Sequence, residues 1–77
     1  MATEHDLKVA RAEFDEAFSK AVLHALAPQL IELQQTTLYD LDELPVAAQI
    51  LRLQAVAVQF RDFAAGRIKL VDLQPQP

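Results

Sequence analysis

Residues 45–66, PVAAQILRLQAVAVQFRDFAAG, decide the fold. Pro45 suits a helix start, and Gly66, the chain's single glycine, suits the left-handed position just past a helix end. Between them the apolar spacing is helical. Val46, Ile50, Leu53, Ala57, Phe60 and Ala64 form one face, which Val56 and Phe63 widen. Ala47, Ala48, Leu51, Ala55 and Val58 form a second apolar face. Only Gln49, Arg52, Gln54, Gln59, Arg61 and Asp62 remain for water. A helix apolar around most of its circumference is covered on more than one side. The spacing therefore predicts a helix over 45–65 with more apolar surface than a short chain can cover alone.

Working outward, the first segment reads as an amphipathic helix from Glu4 to Ala27. Thr3 is its N-cap, and Asp6, three residues on, makes a variant of the capping box. Leu7, Ala10, Phe14, Ala17, Phe18, Ala21, Val22 and Ala25 lie on one stripe, with Lys8, Glu13, Asp15, Glu16, Lys20 and His24 off it. Pro28 either kinks this helix or opens a new one with Ala27 before it. Leu30, Ile31, Leu33, Leu38 and Leu41 carry a helical pattern onward to Tyr39, weakened by Thr36 and Thr37. Residues 40–45 form a connector in which Asp40 or Asp42 can cap the last helix. Residues 67–73, RIKLVDL, show partial alternation, which fits an extended tail over the helices or a lone strand whose partner is another molecule.

The predicted class is all-α: a small helical hairpin or three-helix bundle, its long first helix kinked or broken at Pro28, with a short extended C-terminal tail. One domain over 1–73 is expected, with 74–77, QPQP, as a disordered end. The expected core is Leu7, Phe14, Phe18, Ile50, Leu53 and Phe60. The four phenylalanines fall in pairs, Phe14/Phe18 and Phe60/Phe63, placed to share the packing of the first helix on the last.

Composition narrows the function. Hydrophobic residues make up 52% and charged residues 23%, which is the balance of a folded chain rather than a disordered one. At 77 residues the core is small, and chains of this size commonly need a staple. Cysteine is absent, so disulfides and thiolate metal sites are excluded, and association with another chain is the staple left open. The start, Met1-Ala2-Thr3-Glu4, lacks the basic and apolar regions of a secretory signal, and no apolar run reaches transmembrane length. A short chain without catalytic residues is of a kind common in bacterial and phage genomes, so the cytoplasm, or a virion, is its expected location.

The net charge of −4 disfavours nucleic acid. Charge is also polarised: residues 1–44 hold nine acids and three bases, net −6, and residues 45–77 hold two acids and four bases, net +2. Antiparallel packing of the first helix on the last, or a head-to-tail contact between subunits, would satisfy that polarity equally.

Tested for chemistry, the clusters fail. Asp40, Asp42 and Glu43 lack the spacing and turn glycine of a calcium loop. Glu13, Asp15 and Glu16 point in different directions on a helix, and Glu32 stands alone. His5 falls in the first helical turn; His24 suits the negative end of the same helix. Ser19, the one serine, sits more than a turn from His24. A helix-turn-helix reading fails because Pro45-Val46-Ala47-Ala48 cannot read base edges, and Arg52, Arg61, Arg67 and Lys69 are sparse. No catalytic residue, metal ligand or cofactor is expected. The expected function is a small non-catalytic interaction or assembly module that forms a homo-oligomer, docks on a larger protein, or both. The competing expectation is a small dimeric DNA-binding regulator. The expected contact surface is Ala47, Leu51, Val58 and Phe63 on the last helix, with Ile68, Leu70 and Leu73 on the tail.

Overall fold

The computed structural model describes residues 2–75. Three α-helices follow in order: α1 Glu4–His24, α2 Pro28–Tyr39 and α3 Val46–Ala64. Single 3-10 turns occupy Leu41–Glu43 and Leu70–Asp72, and no strand occurs among the described residues.

The ends of α1 show why it starts and stops where it does. The Asp6 N–H donates to Thr3 Oγ1 at 3.1 Å, and the Thr3 N–H donates to Asp6 Oδ2 at 3.2 Å. This reciprocal cap satisfies two otherwise orphan donors and contributes about 1 kcal/mol. At the other end Pro28 breaks the helix rather than kinking it. Ala27 precedes a proline, and the crowding of the proline ring pushes such a residue into extended conformation, here φ −124°, ψ 139°. Pro28 then stands at the first position of α2, where a missing N–H costs nothing.

Leu7 lines a surface hollow with Gln49 and Leu53, Phe14 and Phe18 stack on Phe60, and His24 packs on Phe63. The first and last helices therefore run parallel, with α2 returning between them, and the antiparallel arrangement expected from charge is not adopted. Connectivity decides the matter: α2 rises about 18 Å, enough to carry the chain back toward the start of α1. The result is an up-down-up three-helix bundle 34 × 19 × 16 Å in extent, dominated by the α1–α3 contact.

Phe14, Leu30, Leu53, Val56 and Phe60 are the largest fully buried side chains. Ala10, Ala17 and Ala21 of α1 and Ala57 of α3 are buried with them, which lets the helices approach closely. Of the expected core, Phe14, Ile50, Leu53 and Phe60 are buried, and Leu7 and Phe18 pack against its margin. The Phe60 ring meets Phe14 at 5.7 Å and Phe18 at 5.3 Å between centroids, both tilted as aromatic quadrupoles prefer.

Among the described residues two polar side chains are buried, each for a local reason. Thr37 donates its hydroxyl to the Leu33 carbonyl at 2.7 Å, so α2 accommodates it. Gln49, assigned to water for its polarity but placed by its angle within the core stripe of α3, donates Nε2 to the Leu44 carbonyl at 2.8 Å. It ties the connector to α3, whose N-cap is Pro45 and which has no side-chain cap, so neither Asp40 nor Asp42 performs the expected capping.

Gly66 adopts φ 78°, and an added Cβ there would meet nothing within 4 Å. The cost of a side chain is thus purely conformational. Gly66→Ala is expected to destabilise the fold by about 1–2 kcal/mol, read as a lower urea midpoint at unchanged slope. An unchanged midpoint would show that the turn relaxes freely. Beyond Gly66 the chain folds back across α2 and α3. Leu70, Leu73 and Pro75 share a hollow with Gln29, Glu32, Leu33 and Thr36 of α2. The Gln59 side chain then binds the backbone of Gln74 twice, accepting from its N–H and donating to its carbonyl, both at 2.8 Å. Of the loose end expected over 74–77, Gln74 is held to Gln59, and residues 76 and 77 lie outside the described residues.

Candidate interaction surface

The residues of the expected contact surface divide into two sets. Ala47, Leu51 and Val58 face outward on α3, with Leu51 67% and Val58 50% exposed. Phe63 is buried, and Ile68, Leu70 and Leu73 are partly buried. Phe63 takes the edge of the exposed His24 ring at 5.2 Å and 89°. Its direction on α3 turns it toward the end of α1 rather than away from the bundle. Ile68, Leu70 and Leu73 pack on the chain's own core. Several tail amides are bonded within the chain. Arg67 N–H donates to the Asp62 carbonyl at 2.8 Å, Lys69 N–H to Asp72 Oδ2 at 2.9 Å, Leu73 N–H to the Leu70 carbonyl at 3.2 Å, and Gln74 N–H to Gln59. The alternation that suggested a strand is used instead to turn apolar side chains inward.

The outer face of α3 carries no acid before Asp62. From Val46 to Arg61 the only charges are Arg52 and Arg61. Arg61 leans toward Glu13 of α1 at 3.9 Å. Arg52 borders a hollow with Gln35, Thr36, Tyr39 and Asp40, and its Nε is buried without a partner. A second apolar corner lies at the α1–α2 junction, where Leu23 and Leu26 are 87% and 78% exposed and Leu26 lines a hollow with Pro28 and Ile31.

The polar clusters examined for chemistry are dispersed. Asp15 pairs with Arg11 at 3.6 Å and Glu16 with Lys20 at 3.1 Å, both within α1, while Glu13 turns to α3. Ser19 donates its hydroxyl to the Asp15 carbonyl at 3.0 Å, and His24 is engaged with Phe63. Among the described residues no three of His, Asp and Glu are grouped as metal ligands would be. Arg67 pairs with Asp62 at 3.3 Å, so it and Arg61 each stand beside an acid instead of forming a basic track. No helix of the described residues is long and apolar enough to cross a membrane.

The molecule is thus defined by its class, an up-down-up three-helix bundle strapped by its own C-terminal segment. Comparisons with protein-family models, curated proteins and solved structures return no significant match.

Proposed function

We propose that this protein is a non-catalytic assembly module that works by self-association, in the cytoplasm or, if phage-encoded, in the virion. One observation carries the reading. The strongest helix of the bundle, α3, spends one apolar face on α1 and α2 and leaves a second, Ala47, Leu51 and Val58, facing water. Single exposed apolar residues are ordinary on protein surfaces, but an apolar stripe along one helix marks a contact face. The small core supports the same reading, since a second copy supplies the burial a chain of this length lacks.

Sedimentation velocity from about 1 µM to about 500 µM tests it, a range that spans weak to moderate association. The sedimentation coefficient is expected to rise with concentration toward that of a dimer. A single species of monomer mass throughout the range would overturn the reading.

A further inference from the structure

The outer face of α3 carries a second periodicity, distinct from the one that builds the core. Ala48, Leu51, Ala55, Val58 and Asp62 are spaced three, four, three and four residues apart. These are positions a and d of a coiled-coil heptad, with small residues at a and large ones at d. None of the five is buried within the bundle. We propose that this seam pairs with the same seam of a second copy, antiparallel, so that α3 meets α3 across a two-fold axis near Leu53. The inference rests on self-association and specifies its surface, partner and direction.

Three features favour this occupant and this direction. In an antiparallel pair, a positions of one helix face d positions of the other. Leu51 then sits on Ala55 of the second copy, and Val58 on Ala48, so every layer holds one large and one small side chain and the helix spacing is uniform. A parallel pair would stack alanine on alanine and leucine on leucine in alternate layers, leaving voids. Secondly, the same alignment sets Asp62, which also pairs with Arg67 of its own chain, opposite Leu44, just ahead of a helix start that has no side-chain cap and no acid in its first turn. A carboxylate there satisfies the positive end of the helix dipole. Thirdly, two chains of net charge −4 repel, and this face is acid-free from Val46 to Arg61, whereas α1 and the connector carry most of the acids.

The seam from Ala48 to Ala65 is about 26 Å long. One helix pair of that length is at the small end of specific interfaces, so weak, reversible association is expected. Arg52 flanks the seam close to the two-fold axis and would approach its own copy. Association is therefore expected to tighten as added salt screens that pair and the net charge.

The absence of native cysteine permits a direct distance measurement on the full chain. A spin label on Ala65→Cys, at the exposed end of the seam, is expected to give a distance between copies of about 37 Å in the antiparallel pair, against about 10 Å for parallel helices. Leu51→Glu should weaken association at least tenfold. Since Leu51 is mostly exposed, helicity should be unchanged. Ala55→Gln, which fills the position opposite Leu51, should act in the same direction. The long distance together with loss of association in both variants would support the pairing. A short distance, association indifferent to both variants, or dissociation by salt would overturn it while leaving self-association standing. A monomer at every concentration would remove both.

Discussion

Phe60→Ala is expected to unfold most of the population in water at room temperature. Phe60 is fully buried on α3, and its ring is the one against which both Phe14 and Phe18 of α1 pack. Truncating a buried phenylalanine costs about 3–5 kcal/mol, because transfer energy is lost and the surrounding side chains only partly collapse into the cavity. A chain of this length has a total stability of roughly the same size. The α1–α3 contact is also the dominant one in the bundle, and no disulfide holds the helices together when it loosens. Far-UV circular dichroism should show a large loss of helix before any denaturant is added, with partial recovery by a stabilising osmolyte. Phe60→Leu keeps most of the volume and should cost far less, about 1 kcal/mol from the lost aromatic pairs. Wild-type helicity and urea midpoint in Phe60→Ala would contradict the packing described.

Legibility in the sequence followed the range of the interactions concerned. The limits of α3, set by Pro45 and Gly66, and the cap of α1, set by Thr3 and Asp6, depend on neighbours within four residues, and a linear reading finds them. The packing of Phe14 and Phe18 on Phe60 was legible because all three lie on the principal apolar stripe of their helices. Pro28 was ambiguous in principle, since proline fits a kink and a first helical position equally well; the extended Ala27 settles it only in three dimensions.

Polar residues engaged over longer range were misread. Gln49 was left to water for its polarity alone, yet its angle on α3 falls inside the core stripe, between Phe60 and Val56, and it is buried against the Leu44 carbonyl. Gln59 binds a backbone fifteen residues away, which no local pattern encodes. The direction of α1 relative to α3 escaped for a related reason. The charge difference between the two halves of the chain is a weak, screened, long-range term, and the reach of α2 outweighs it. The exposure of Leu51 and Val58 was legible because they lie opposite the core stripe. The burial of Phe63 was not, because its angle on α3 falls at the edge of that stripe, where the end of α1 decides whether it is covered.

Leu30→Ala is the other substitution expected to act strongly, and its effect should begin locally. α2 has twelve residues, no side-chain cap, no acid in its first turn and no base in its last. An isolated helix of that length is marginal in water, so tertiary burial must hold it. Leu30, Leu33 and Thr37 are its buried residues, and Leu30 alone is completely so. Its truncation should cost about 2–5 kcal/mol. The C-terminal segment rests on the same helix, with Leu70 and Leu73 beside Leu33 and Thr36. Native-state hydrogen exchange should therefore show two effects in Leu30→Ala. Protection should fall most across α2 and at the Gln74 amide that Gln59 holds, and less at the centres of α1 and α3. Uniform loss of protection would instead mean that the bundle opens only as a whole, with α2 and the strap inseparable from the α1–α3 pair.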